Sequence, residues 1–79
     1  MVREDIGEEE LLILLNRELS KHNDMNQVVF TSIERLEAPD GTGCNWSMAR
    51  VKSSRVAHHV VAPVTGQIVS QARKKYNVK

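Results

Sequence analysis

The sequence is poor in residue types that often hold a small protein together. Its single cysteine, Cys44, excludes a disulfide within the chain, and no set of Cys and His residues has the spacing of a structural zinc site. The longest apolar run, Leu11–Leu15, is far too short to span a bilayer. A domain of 79 residues buries too little surface to be very stable. Close packing or self-association must therefore stabilise it.

Acidic residues are absent from the second half of the chain. The first forty residues carry ten acids and four bases, a net charge of −6, whereas residues 41–79 carry seven bases and no acid, a net charge of +7. The total formal charge of +1 conceals this separation. A basic half attracts polyanions, but the sequence pI of about 7.9 lies below the values above about 9 that are usual for nucleic-acid-binding domains.

The composition is typical of a folded protein of the cytoplasm. The apolar fraction of 41% indicates a globular domain rather than a disordered tail. The N-terminus is acidic where a signal peptide is basic, and it has no cleavable apolar core. The free cysteine agrees with a reducing compartment. We expect one cytoplasmic domain over residues 1–79, with no membrane partner.

The pattern of residue types predicts an α+β domain with the order α-β-β-α. Leucines at helical spacing after a run of glutamates predict a helix from about residue 6 to 22. Asp5 and Glu8 have the spacing of an N-terminal capping box. β-Branched and aromatic residues predict strands over 27–37 and 44–52, which a turn rich in Pro, Asp and Gly joins as an antiparallel hairpin. We expect this hairpin to pack against two helices.

The last segment predicts a second helix, from about residue 54 to 76, with a complication at Pro63. Apolar residues recur near helical spacing, and the bases Arg73–Lys75 follow where a helix dipole favours cations. A proline in a helix interior removes a hydrogen bond and clashes with the preceding turn, and Gly66 weakens the same stretch. We expect a helix that is kinked or broken near Pro63, and whether residues 55–62 are helical or extended stays open.

An even-numbered loop predicts the register of the hairpin. It gives these opposed pairs: Phe30 with Val51, Ile33 with Met48, and Arg35 with Trp46. One face of the sheet then has the character of a core. The other face is open and carries Val29, Ile33, Arg35, Cys44, Trp46, Met48, Arg50 and Lys52. A one-residue bulge would change this sorting partway along the strands.

The open face carries the most suggestive cluster of side chains in the sequence. In a nucleic-acid-binding module, an exposed indole stacks on a base while nearby cations hold phosphates. The alternative is that Trp46 belongs to the core or to an interface, with Arg35 stacked on it. The candidate surface for a partner or for nucleic acid consists of Arg35, Trp46, Met48, Arg50, Lys52 and Arg55.

The first helix has more apolar residues than one side of a helix can bury. The run Leu11–Leu15 sweeps through more than a full turn, so at least one of its residues points away from the core. We expect this residue to be Ile13 or Leu14. An isolated two-stranded hairpin is also marginal in water. We therefore expect a homodimer in which Ile13 and Leu14 are candidate contacts.

No motif in the sequence indicates catalysis, a metal or a cofactor. His58 and His59 are adjacent and point about 100° apart on a helix, which does not suit a shared metal. Cys44 with a histidine would be the minimal nucleophile pair, and nothing else supports it. We predict a non-enzymatic interaction module that self-associates through the first helix and the open sheet face. The alternative is a nucleic-acid-binding module that uses the basic half around Trp46.

Overall fold

The computed structural model describes residues 3–22, 25, 27–54 and 56–79, which form two helices and four strands in the order β-α-β-β-α-β. The elements are β1 (Glu4–Ile6), α1 (Glu8–Leu19), β2 (Val28–Arg35), β3 (Trp46–Ser53), α2 (His58–Lys75) and β4 (Tyr76–Val78). The domain is α+β, as predicted. The predicted order α-β-β-α is wrong, because a further short strand precedes α1 and another follows α2.

The two additional strands pair with each other. β1 and β4 are parallel, three residues long each, and Ile6 lies opposite Val78 with both side chains buried. Strands this short have no recognisable two-residue periodicity, which is why the sequence did not reveal them. Asp5, which the sequence assigned to a capping box, lies in β1. α1 begins after Gly7, which provides no side-chain cap.

α1 is shorter than the predicted helix at both ends. Its first three residues are glutamates, whose charges favour the positive end of the helix dipole. Leu11, Leu15 and Leu19 are buried and lie along one side of the helix. The opposite side faces solvent and includes Ile13, which is exposed. The apolar run therefore does exceed what the core accepts.

α2 is one helix of 18 residues, and Pro63 lies inside it. The predicted break is therefore wrong, and residues 58–62 are helical; a bend of the helix axis at Pro63 stays a prediction. Pro63 is exposed and lies in the second turn, close to the helix start. Because proline has no backbone N–H, the helix lacks one hydrogen bond at this position. Val61 and Ile68 anchor α2 in the core.

The hairpin of β2 and β3 keeps the predicted register at its ends but not in its middle. Two predicted pairs are present: Phe30 with Val51, and Arg35 with Trp46. Between them, Ile33 lies opposite Ala49 instead of Met48. The shift begins at Thr31, an extra residue on β2, and is reversed at Ser47, an extra residue on β3. The two bulges lie on opposite strands and therefore compensate each other.

The bulges change which side chains face the core. Ile33, Cys44 and Trp46, which the predicted register placed on the open face, all belong to the buried cluster. Met48 stays on the solvent side, with 51% of its side chain exposed. Side chains alternate strictly along a regular strand, so one extra residue exchanges the two faces beyond it.

The core lies between the inner face of the hairpin and the two helices. α1 packs mainly on β2, α2 packs on β3, and the helices contact each other. The completely enclosed side chains are Leu11, Leu15, Leu19, Met25, Cys44 and Trp46. The acidic half of the chain thus forms the side of α1 and β2, and the basic half forms the side of β3 and α2. Within the described residues, no helix combines the length and apolarity needed to cross a bilayer.

Candidate functional site

Trp46 lies in the core, apart from the other residues of the predicted partner surface. Its side chain is 0% exposed, and its indole Nε1–H donates to the Tyr76 carbonyl oxygen at 3.0 Å. The extra residue Ser47 places Trp46 on the same side of β3 as Ala49. The hypothesis that this indole stacks on a nucleic-acid base is therefore wrong for this fold, because the ring is not accessible.

Two cations of the predicted surface are paired with acids of the first half of the chain. Arg35 is exposed; its Nε lies 3.3 Å from Glu8 Oε1, and its Nη1 donates to the Lys79 carbonyl oxygen at 2.6 Å. Arg50 is also exposed, and its Nε lies 2.9 Å from Glu34 Oε1. These pairs reduce the positive potential that a polyanion would meet on this face.

The remaining predicted contact residues lie on two different surfaces. Met48 and Lys52 are exposed on the solvent side of β3. Ile13 is 58% exposed on α1, whereas Leu14 is half-buried and packs against the core. Arg55 lies outside the described residues. The structure therefore does not gather the predicted residues into one site.

Side-chain amides fix β4 to the start of β3. The Asn45 Oδ1 accepts from the Val78 N–H at 2.9 Å, and its Nδ2 donates to the Val78 carbonyl oxygen at 2.7 Å. The Asn45 N–H in turn donates to Asn77 Oδ1 at 3.2 Å. The Asn45 amide therefore pairs with β4 much as a backbone peptide group would.

Asp40 organises the loop between β2 and β3. Its Oδ1 accepts from the Thr42 hydroxyl at 2.6 Å, from the Thr42 N–H at 2.8 Å and from the Cys44 N–H at 3.2 Å. Its Oδ2 pairs with the guanidinium of Arg73 on α2. These interactions, above all the hydrogen bond from the Thr42 hydroxyl, hold the pKa of the Asp40 carboxyl well below its usual value. The loop is thereby tied to α2.

The cysteine is enclosed in the same region. Cys44 is fully buried, and its Sγ lies 3.3 Å from the Trp46 carbonyl oxygen as a donor. The alternative of a Cys44 nucleophile therefore has no accessible sulfur in this fold. In the part of the chain that the structure describes, no three His, Cys, Asp or Glu residues are grouped so that they could hold a metal ion.

The two outer edges of the hairpin differ in what covers them. On β2, the Phe30 N–H donates to Asn16 Oδ1 at 2.8 Å, and Asn16 Nδ2 donates to the Phe30 carbonyl oxygen at 3.2 Å. The Asn16 amide therefore takes the place of a neighbouring strand. On β3, Arg73 Nε donates to the Trp46 carbonyl oxygen at 2.9 Å. Beyond this contact, the edge from Met48 to Ser53 borders a groove.

This groove, the β3–α2 groove, lies between the edge of β3 and the side of α2 and has a volume of about 710 Å³. β3 contributes residues from both of its faces, including Met48 and Val51, so the strand edge itself forms one wall. The wall on α2 consists of Val61, Ala62, Thr65, Gly66 and Val69. Apart from its chain neighbours and the adjacent backbone of α2, a Cβ atom at Gly66 would meet no atom within 4 Å. The groove is therefore mostly apolar and unfilled at Gly66.

Another, more open depression of about 530 Å³ lies beside α1. From α1 it is lined by Glu10, Ile13, Leu14 and Arg17, which we call the α1 stripe. Glu10 and Arg17 are each three or four positions from both Ile13 and Leu14, so the four residues share one side of the helix. Residues 4–6 and Tyr76 complete the lining. An exposed isoleucine thus lies between an acid and a base.

Two residues that shape these surfaces had no assigned role in the sequence. Asn16 immediately follows Leu15 in an apolar-rich helix. A polar residue beside the buried leucines is the signal that could have revealed its contact with β2. Gly66 was interpreted as a weak point of the helix. Together with Ala62 four positions earlier, it leaves a strip of low side-chain volume on α2, which is the signal for a groove.

Neither surface can be assigned by resemblance to another protein. Comparison of the chain with protein-family models, with curated proteins and with solved structures gave no match. The function of these surfaces must therefore be inferred from the geometry and charge of their residues alone.

Proposed function

We propose that this chain is a non-enzymatic protein-interaction module that self-associates through α1 as a weak homodimer. The observation that supports this proposal is the composition of the α1 stripe. Ile13 is 58% exposed next to the half-buried Leu14, with Glu10 and Arg17 one turn to either side. Burying the exposed aliphatic surface of Ile13 together with that of Leu14 in a contact removes it from water, which is favourable.

The α1 stripe is complementary to itself when two copies of the helix pack antiparallel. A twofold axis between Ile13 and Leu14 brings Ile13 of one copy onto Leu14 of the other. The same axis brings Glu10 opposite Arg17 of the second copy, and it does so twice. None of the described ion pairs involves Glu10 or Arg17. The antiparallel contact thus adds two charge pairs to an apolar centre.

The size of α1 limits the strength of such a dimer. The helix has 12 residues, which corresponds to a length of roughly 18 Å. A contact along one side of it falls among weak interfaces, which bury less than about 1,200 Å². We therefore expect a rapid monomer–dimer equilibrium with a Kd on the order of 10–100 µM.

The open sheet face supports self-association less well than α1 does. Its exposed apolar residues are Val29 and Met48, with 42% and 51% of their side chains exposed. Val29 lies opposite Lys52 and Met48 lies opposite Glu34, so the two are roughly 15 Å apart along the hairpin. Charged side chains therefore separate them, and they form no continuous apolar patch.

Charge exchange on the α1 stripe tests the proposed dimer by sedimentation equilibrium. In Glu10→Arg or Arg17→Glu, the antiparallel contact places like charges opposite each other twice. Each variant should therefore dimerise at least tenfold more weakly than the parent. When the two variants are mixed in equal amounts, every pair is again between opposite charges, and a heterodimer should form.

Glu37→Arg is the matched control for this experiment. Glu37 is exposed in the loop after β2, outside α1 and outside the lining of this depression, and its replacement changes the net charge as much as Glu10→Arg does. This variant should dimerise like the parent. A parent that stays monomeric to about 1 mM, or a mixture in which dimerisation does not recover, would overturn the proposal.

The alternative of a nucleic-acid-binding module has less support in the geometry. Arg50 and Arg73 pair with Glu34 and Asp40, so acids lie beside the bases of the second half. Lys52 remains exposed. Fluorescence anisotropy with a mixed-sequence single-stranded oligonucleotide tests this alternative. An affinity that falls steeply with rising salt would favour it, because each neutralised phosphate releases counterions; no binding at low salt would remove it.

A further inference from the structure

We infer that the β3–α2 groove is a binding site for an extended segment of a partner protein. The segment would add a strand to the edge of β3 and would carry apolar side chains that alternate with acidic ones. The site lies on the opposite half of the chain from the α1 stripe. It therefore goes beyond the proposed dimer and does not depend on it.

The backbone of β3 is available for pairing at Val51. The Phe30 N–H and carbonyl oxygen turn away from β3 and bond to Asn16. Directly opposed residues of an antiparallel pair share the same bonding state, so the polar groups of Val51, opposite Phe30, also point away from the hairpin. The hydrogen bonds described from outside the hairpin include none to Val51. An added strand would supply these partners.

The length of the free edge defines the length of the segment. At one end, Arg73 Nε already occupies the Trp46 carbonyl oxygen. At the other end, the Ser53 hydroxyl donates to the Val56 carbonyl oxygen at 3.0 Å, where the chain turns towards α2. The free edge runs from Met48 to Ser53 and is about 20 Å long at roughly 3.4 Å per residue. It fits a segment of about six residues.

The wall on α2 explains why the segment should be apolar on one side. Every second side chain of a strand at the edge of β3 points towards this wall. Ala62 and Gly66 lie one helical turn apart, and the space above Gly66 is open to at least 4 Å. Val61 and Val69 flank this gap. The gap accepts branched aliphatic side chains, whose burial stabilises the complex.

The charges on β3 favour an acidic partner segment over a second copy of this chain. Two copies of β3 paired antiparallel about Val51 would bring Arg50 opposite Lys52 of the other copy, twice, and directly opposed like charges destabilise a sheet. Both walls of the groove belong to residues 41–79, which contain no Asp or Glu. Acidic residues on the solvent side of a docked segment would instead face Lys52, which takes part in none of the described ion pairs, and Arg50, which also pairs with Glu34.

Fluorescence anisotropy with a labelled peptide, Asp-Val-Glu-Val-Asp-Val-Glu, tests the inference. We expect binding with a Kd on the order of 10–100 µM at low salt. Replacing the acids of the peptide by lysines should weaken binding at least tenfold. Methylating alternate backbone nitrogens should abolish it, because the pairing with β3 requires the N–H groups. No binding of the acidic peptide up to about 1 mM would overturn the inference.

Gly66→Leu fills the groove and is the decisive variant. Leucine is a better helix former than glycine, so thermal unfolding should show an unchanged or higher Tm. The variant should bind the acidic peptide at least tenfold more weakly. Gln67→Leu is the matched control, since it adds the same side chain at the next, exposed position, about 100° around the helix. It should bind like the parent.

Three outcomes of the variant experiment would contradict the inference. The first is equal peptide binding by Gly66→Leu and the parent. The second is loss of dimerisation in Gly66→Leu, which would mean that a second copy occupies the groove. The third is binding of a single-stranded oligonucleotide that Gly66→Leu abolishes, which would assign the groove to nucleic acid. Failure of the proposed α1 dimer would appear separately, in the sedimentation equilibrium of the parent and of the mixed Glu10 and Arg17 variants.

Discussion

The two outer edges of the β2–β3 hairpin show how the same backbone can be closed on one side and left available on the other. α1 covers the edge of β2, where the Asn16 amide satisfies both polar groups of Phe30. The edge of β3 is closed at Trp46 by Arg73, and beyond that point it borders an apolar groove. Unpaired strand edges invite association, and proteins usually cover them. The difference therefore supports β3 as the edge proposed for pairing with a partner segment.

The same division separates the charges of the molecule. The acidic half of the sequence builds the covered side, and the basic half builds the open side. Arg50–Glu34 and Arg73–Asp40 connect the two sides. The Arg50 pair is exposed, and such pairs contribute about 0–1 kcal/mol, so it orients the sheet surface more than it stabilises the fold.

The largest expected effect comes from removing the side chain of Trp46, at the end of β3 that Arg73 covers. Trp46→Ala removes a fully buried ring and its bond to Tyr76, and we expect the free energy of unfolding to fall by about 3–5 kcal/mol in urea denaturation. Trp46→Phe is the control, since it keeps most of the apolar volume and should lose less. A loss below about 1 kcal/mol for the alanine variant would mean that Trp46 does not anchor this end.

Uncovering the edge of β2 should have the next largest effect. Asn16→Ala leaves the two polar groups of Phe30 without their partner, and we expect a loss of about 1–3 kcal/mol in the same measurement. Light scattering should rise at high concentration, because a second strand edge becomes available. Arg17→Ala, measured where the chain is monomeric, is the control and should stay within about 0.5 kcal/mol of the parent. Equal stability of both variants would contradict the covering role.

The contact between the loop and α2 should appear in the pH dependence of stability. The pKa of Asp40 is lowered in the folded chain, so its contribution to the free energy of unfolding is complete above the unfolded pKa of about 4 and is lost as the pH falls towards the lower folded pKa. Urea midpoints at pH 7 and pH 3 measure this loss. Asp40→Asn should show a smaller decrease over that interval than the parent. Identical decreases in the two proteins would mean that the ionised Asp40 does not stabilise the contact between the loop and α2.

The smallest effect is expected at the open end of β3. Met48 is 51% exposed beside the groove, so Met48→Ala should change the free energy of unfolding by less than about 0.5 kcal/mol. A destabilisation above about 1 kcal/mol would show that this end is as tightly packed as the end at Trp46, and the contrast along β3 would disappear.

The sequence predicted those features that depend on neighbouring residues. Leucines at helical spacing located α1, β-branched residues located the hairpin, and the run Leu11–Leu15 indicated that an apolar residue such as Ile13 would be exposed. The helix limits were less accurate. Residues 4–6 carry no pattern of their own, and their place in a strand depends on residues 76–78 at the other end of the chain.

The sequence by itself determined the α+β class, the hairpin and the separation of charge, because helical and strand periodicities and net charge are properties of local segments. Only the tertiary structure decided that Trp46 is buried, that Asn16 covers one strand edge and that Gly66 opens a groove at the other. The reason is geometric: one extra residue at Ser47 reverses the direction of side chains, and residue type does not encode such a shift. The location of the candidate binding edge therefore depended on contacts between distant parts of the chain.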